Sequence, residues 1–301
     1  MISLREAQSD VELAAWAAVK AVVVPNEPVT PEELRRTDEP GRLLLLAERD
    51  GATVGHGIAA RSSFVGRAFV LPRVLPDARR SGVGTTVLEA LCLHAVALDL
   101  AELQTFVDVG DPDGLAFAFR FGFVDVDAQL EQVRVLDEEI PPPMPSGITI
   151  VAVADRPELL EASFALAREA YADMPLPGPI EVTLEEWLRD EATLPEASFV
   201  AFAGDEIVGY AGLLRRGGAV REAEHGLTAV RRGYRRRGIA STLKRAQLTW
   251  AARNGIERLV TWTQRGNEDM QRLNASLGYV TRSKLLTMRA PRDRVLELLA
   301  N

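Results

Sequence analysis

The sequence predicts an α/β fold written twice in tandem, each copy a mixed central sheet flanked by helices. Strand-like alternation passes repeatedly into helical periodicity along the chain, which is the pattern of such a layered fold. The two halves also repeat each other in register. Arg79 and Arg235, like Gly122 and Gly278, stand 156 positions apart, and Gly55 and Gly209 stand 154 apart. A repeat of this length means two copies of one fold produced by internal duplication. Between the copies lies DEEIPPPMPSG (Asp137 to Gly147), acidic and then proline-rich, which favours an extended linker over helix or central strand. The expected boundaries are therefore residues 1–137, a linker at 138–147, and residues 148–301.

The elements follow in matching order. ISLREAQSDVELAAWAAV opens the first copy and ITIVAVADRPELLEASFAL the second, each a strand, a helix start at Asp or Pro, and an amphipathic helix. LLLLAERDGATVGHGIAA and SFVAFAGDEIVGYAGLL each read as strand, tight turn, strand. A long fourth strand, AEHGLTAV in the second copy, then runs through a glycine turn into a helix. Here VLPDARRSGVGTTVLEAL pairs with VRRGYRRRGIASTLKRAQ, and the second helix stops at Asn254-Gly255. A strand, a helix and a closing strand complete each copy, with FRFGF matching NASLGY.

Composition narrows the function. The 301 residues carry a net charge of −8, which argues against a nucleic-acid partner. Cys92 is the single cysteine, so there is no disulfide framework and no cysteine metal site. His56, His94 and His225 lie far apart in sequence, so no metal cofactor is expected. MISLREAQSD has no apolar leader, and no apolar run is long enough to span a bilayer. A cytoplasmic protein with no membrane partner is expected, as a monomer or homodimer.

Against this acidic background, RRGYRRRGIAST (Arg231 to Thr242) places five arginines around two glycines. A strand that delivers such a turn to a helix start leaves backbone N–H groups unpaired, with the positive end of the helix dipole behind them. That suits phosphate oxygens. Gly238 allows close backbone approach, Ile239, Ala240 and Ser241 begin the helix with small or apolar groups, and Arg235, Arg236 and Arg237 can add charge-assisted contacts. The turn lacks the Gly-Lys-Ser/Thr ending of a Walker loop. It reads as the seat of a pyrophosphate.

Arg235-x-x-Gly238-x-Ala240, with Val230 five residues earlier, resembles the acetyl-CoA loop of the GNAT N-acetyltransferase superfamily. Arg79-x-x-Gly82-x-Gly84, preceded by Val74, repeats it, and NEDMQRLNASLGY resembles the family's downstream helix and strand start. The resemblance covers both halves and implies two tandem GNAT domains. It implies that the backbone of Thr228, Ala229 and Val230 lies along the pantetheine arm, with the Thr228 N–H polarising the thioester carbonyl. It further implies Glu224 as general base, four residues earlier and on the same face of a regular strand. Asn267 matches an asparagine near the pantetheine. Asn274 replaces the tyrosine that often protonates the leaving thiolate, and asparagine is no acid at neutral pH. Tyr210 and Tyr234 are open substitutes, and Glu222 and His225 are rival bases. A bulge in the strand would change which face each residue takes.

The same map finds the first half depleted. Thr228 corresponds to Pro72, which has no N–H, and Glu224 to Ala68. Asn267 and Asn274 correspond to Asp111 and Ala118. The resemblance therefore implies an acetyl-CoA-dependent N-acetyltransferase whose second half is catalytic and whose first half is non-catalytic, keeping the fold and the glycine turn, with its own acetyl-CoA binding left open. Its acceptor would be a primary amine of a small molecule (amino sugar, polyamine, amino acid) or of a protein. The alternatives are a non-catalytic acyl-CoA sensor and an enzyme like mycothiol synthase. Trp187, Trp250 and Trp262 read as core at their spacing, with the lining of an acceptor pocket as the alternative.

Overall fold

The computed structural model describes residues 1–216 and 221–301. The first half contributes β1 (Ile2–Glu6), α1 (Asp10–Val23), α2 (Pro31–Arg36), β2 (Leu43–Arg49), β3 (Ala52–Arg61) and β4 (Arg67–Val74). It continues with α3 (Val83–Ala97), β5 (Glu102–Asp108), α4 (Pro112–Arg120) and β6 (Val124–Val135). The second half begins with β7 (Ile148–Ala152), α5 (Glu158–Ala162), α6 (Phe164–Asp173), α7 (Leu184–Asp190), β8 (Phe199–Ala203) and β9 (Glu206–Arg215). It ends with β10 (Glu222–Val230), α8 (Ile239–Arg253), β11 (Arg258–Gln264), α9 (Glu268–Ser276), β12 (Val280–Pro291) and α10 (Arg292–Leu299). Three helix starts are fixed by reciprocal capping boxes, at Ser9 with Glu12, Thr30 with Glu33 and Thr183 with Glu186. No helix among the described residues is long and apolar enough to cross a membrane.

The chain packs as two compact units, and the α/β class with two copies stands as expected. Unit 1 comprises Met1–Ala128, Pro177–Glu181 and Lys284–Asn301, and its strands run in the order β1-β2-β3-β4-β5-β12. Unit 2 comprises Gln129–Leu176 and Val182–Ser283, in the order β7-β8-β9-β10-β11-β6. These units differ from the halves expected at 1–137 and 148–301. Leu285–Pro291 of β12 pairs with β5, and Gln129–Val135 of β6 pairs with β11, so each half supplies the closing strand of the other unit. The linker expected at 138–147 is not a free tether. Ile140 and Pro143 accept hydrogen bonds from Thr249 and Thr242 of α8.

In each unit the long helix after the glycine turn fills one face of the sheet. The α3 helix buries Val83, Val87, Leu88, Leu91 and Cys92 against Ala59, Val70 and Leu103. Burial pushes the Cys92 thiol up to about 12, so this side chain acts as a small core hydrophobe. The parallel pairs are short. β4 meets β5 only through Arg67–Phe69, and β10 meets β11 only through Glu222–Glu224. Beyond those rungs the two strands of each pair part, which opens a cleft toward the glycine turn.

Candidate active site

The turn expected to seat phosphate has the required backbone. Gly238 is the N-cap of α8 at φ +82°, with no side chain capping the helix, so the first-turn N–H groups remain available. Arg236 also takes a left-handed φ of +64°. A Cβ at Gly238 would meet only Pro145, at 3.9 Å. Ile239 is buried in the core with Val208 and Leu243, so only its backbone can serve a ligand, while Ala240 and Ser241 are partly exposed. The arginines are largely committed within the protein. Arg235 Nε donates to the Val230 carbonyl at 2.9 Å and Arg235 Nη2 to Asp173 at 2.6 Å. Arg236 pairs with Asp269, and Arg237 donates to the Gly233 carbonyl and covers the Tyr234 ring. Arg232 and Arg235 together hold the Asp173 carboxyl well below the usual carboxylate range. Much of the positive charge therefore fixes the shape of the turn.

The fourth strand of unit 2 departs from the expected geometry. The β9–β10 register shifts between His225 and Thr228, the mark of a bulge. Ala223 and His225 face α8, where His225 Nδ1 meets Gln247 at 2.9 Å. Past the bulge, Leu227 and Ala229 face α6 and α7, packed with Leu166, Ala170 and Trp187. Glu224 and Thr228 consequently lie on opposite faces, which corrects the expectation that a spacing of four keeps them together. The strand's backbone is sorted as well. Arg231 donates to the Val208 carbonyl, so ladder alternation directs the Ala229 N–H and C=O to Tyr210 and those of Thr228 and Val230 into the cleft. Ala229 is thus spent on the sheet. Thr228 and Val230 keep N–H groups aimed where the expected pantetheine arm would run.

Glu224 is not free to act as a base. Its carboxylate accepts from Arg216 Nη1 at 2.8 Å, and Glu222 accepts from Arg258 at 2.6 Å. The rival His225 is buried with both ring nitrogens engaged, by Gln247 and by the Tyr279 hydroxyl, and burial holds it neutral. Lys244 lies beside this group, 5.7 Å from the Tyr279 ring centroid, and burial brings its ammonium down to about 7.

A carboxylate that the sequence did not single out occupies the bulge. Glu191, just past α7, accepts from the Leu227 N–H at 3.1 Å and from the Tyr210 hydroxyl at 3.3 Å, both at Oε1. It lies across two glycines: a Cβ on Gly212 or Gly226 would stand 1.8 or 2.1 Å from Oε1. No arginine or lysine pairs with it among the described residues. Burial is the main cause that raises its carboxyl to about 7, with the Asp190 and Glu224 charges adding to the rise. The residue keeps some exposure while its carboxylate is largely buried, which leaves it poised to exchange a proton at neutral pH. Gly226 inside a strand pattern was the available hint of a bulge.

The remaining expected residues divide. Asn267 caps α9, accepting from the Met270 N–H, and keeps partial exposure. Asn274 is fully buried, with Nδ2 donating to Gln132 at 2.9 Å and Thr263 at 3.2 Å. Both donor hydrogens are used and only an acceptor oxygen is left, so Asn274 cannot serve a leaving thiolate. Tyr234 donates to Glu206, and Tyr210 to Glu191. Trp187 is core, and Trp250 and Trp262 are half-buried.

In unit 1 the turn is repeated, with Gly82 at φ +87° and Arg80 at +60°, and α3 likewise lacks a side-chain cap. The β3–β4 register runs unbroken from Gly55–Val74 to Arg61–Ala68, so there is no bulge. The missing N–H of Pro72 falls at the position that would point into the cleft. Ala68 and Ala118 are core, and Asp111 caps α4.

Comparison with known proteins agrees with this architecture. The profile of the acetyltransferase (GNAT) family matches residues 11–123 and 162–279. A GCN5-related N-acetyltransferase from Sphaerobacter thermophilus superposes with a TM-score of 0.77 at 21% identity, over 97% of this chain and 96% of that one. A tandem GNAT protein from the clavulanic acid biosynthesis pathway gives 0.76 at 21%, over 97% and 99%. No curated protein is matched by the sequence.

Proposed function

Because the chain belongs to the GNAT acetyltransferase family, matched over both halves, we propose that unit 2 uses acetyl-CoA to acetylate a primary amine, with Glu191 taking the proton. The observation that carries this reading is Glu191 itself, an unneutralised carboxylate on the bulge where β10 leaves β11. The fit of the donor rests on the uncapped start of α8 at Gly238 and on the cleft-facing N–H groups of Thr228 and Val230. Asn267 would stand at the rim, and Ala229 and Asn274 have no part. Acetyl-CoA supplies an activated acyl thioester.

The protein's own work is to hold and to move a proton. The Glu191 carboxylate receives a proton from the acceptor ammonium, which frees the nitrogen lone pair for attack on the acyl carbon. The Thr228 N–H polarises the carbonyl oxygen as negative charge develops there. The nitrogen gives up its second proton to water as the carbon–sulfur bond breaks with its electron pair on sulfur. A thiol ionises near pH ~8.5, so the thiolate departs without a dedicated acid and is protonated by water. The negative charge of Glu191 favours a cationic acceptor.

The test is thiol release from acetyl-CoA with glucosamine, spermidine, lysine, kanamycin and a lysine-containing peptide. Release that depends on at least one amine is expected. Tight acetyl-CoA binding with no amine-dependent release from the panel contradicts transfer and favours the acyl-CoA-sensor reading.

A further inference from the structure

Unit 1 carries an unusual polar pair where unit 2 has Tyr210 and Ala229. His56 and Arg73 stand directly opposite each other on β3 and β4. Both side chains project to the α1 face. The Trp16 ring lies 3.9 Å from that of His56, whereas the neighbouring Gly57 and Val74 abut α3. His56 is completely buried, and neither ring nitrogen has a hydrogen-bond partner among the described residues. Burial keeps the ring neutral, with the charges of Arg73 and Lys20 acting in the same direction. The Arg73 side chain is half-buried, its guanidinium makes no hydrogen bond or ion pair with the described residues, and desolvation disfavours its charge. Glu27 is the carboxylate whose field reaches it, but Glu27 lies 3.8 Å from Lys20.

A buried imidazole with no partner, beside a half-buried guanidinium that no described residue pairs, is costly unless something completes the two. With Lys20 offset by Glu27, one positive charge remains, which matches a single negative charge. The planar guanidinium fork fits a carboxylate in two-point contact, and neutral His56 can add one N–H donor. The surroundings are apolar: Trp16, Leu44 and Leu46 form one buried cluster, with Ile58 packed on it. We propose that Arg73 and His56 form a binding site in unit 1 for a small organic monocarboxylate with a short apolar body. The two copies have then kept one scaffold and reversed its charge, a carboxylate for a cation in unit 2 and a guanidinium for an anion in unit 1. The site does not depend on the acetyl-transfer reading.

The experiment is calorimetric titration of the intact protein with butyrate, benzoate, butyramide and inorganic phosphate. One site per chain for butyrate or benzoate is expected, with butyramide about tenfold weaker or more, because it lacks the charge. Arg73→Met should abolish carboxylate binding, and His56→Phe should weaken it. Arg73→Met should also melt higher than the unliganded wild type, by ~2–4 °C, because it removes a half-buried charge that no described residue pairs. Absence of carboxylate binding, equal binding of butyrate and butyramide, or preference for phosphate would each overturn the proposal. So would wild-type binding by Arg73→Met, or a lower melting temperature in that variant.

Discussion

At the scale of single residues, two glutamates near the bulge have been given different chemistry by their neighbours. Glu224 sits against Arg216 and is neutralised there. Among the described residues Glu191 meets only neutral donors, and burial raises it from 4.5 to about 7. The base form is the carboxylate, so activity should climb with pH through about 7. Glu191→Gln should lower kcat by about 10²–10⁴-fold and remove that acidic limb, leaving acetyl-CoA affinity unchanged. The stability effect has the opposite sign to that of a salt-bridged carboxylate. A raised folded pKa means the wild type loses stability as pH rises from 4.5 to about 7, so Glu191→Gln should be the more stable protein at pH 8, by up to about 3 kcal/mol. Melting curves at pH 5 and pH 8 check this, and equal stabilities at both would refute the buried-charge account. None of it was visible in the sequence, because Glu191 belongs to no motif and lies 36 positions from the Leu227 amide it meets.

At the scale of elements, the decisive feature is the bulge in β10. Spacing alone put Glu224 and Thr228 on one face, and one extra residue reversed that, since a strand's two faces alternate at every position. Gly226 in the middle of EHGLTAV was the one mark of it. The glycine turn was legible for the converse reason. A left-handed N-cap at Gly238 needs a residue without a Cβ, and that requirement is written locally. The roles of Ala229 and Asn274 were not legible, since they depend on which neighbours take up their hydrogen-bonding groups. Gly212 on β9 tests the bulge from the other side. Gly212→Ala would place a Cβ 1.8 Å from Glu191 Oε1, so the carboxylate must move. Steady-state kinetics should show kcat reduced about tenfold to a hundredfold with little change in the KM for acetyl-CoA. An unchanged kcat would show that the position of Glu191 is immaterial.

At the scale of the whole molecule, duplication explains why fold class and repeat were readable early. Both copies retain strand, turn and helix in the same order, and the glycine turns superimpose residue for residue in sequence. The exchange of closing strands was not readable. β6 and β12 carry equivalent alternation, and alternation specifies a buried face without naming the strand that pairs beside it. The copies have since diverged where chemistry is done. Unit 2 has a bulge and a carboxylate with no ion-pair partner among the described residues, whereas unit 1 has an unbroken strand with Pro72 at the position facing the cleft. The most direct test is calorimetric titration of acetyl-CoA into the wild type, Gly238→Asp and Gly82→Asp, each checked for an intact melting transition. The account predicts that Gly238→Asp loses the unit 2 site, while Gly82→Asp retains a site of wild-type affinity. Wild-type binding by Gly238→Asp, or its loss in Gly82→Asp alone, would contradict the assignment of the donor to unit 2.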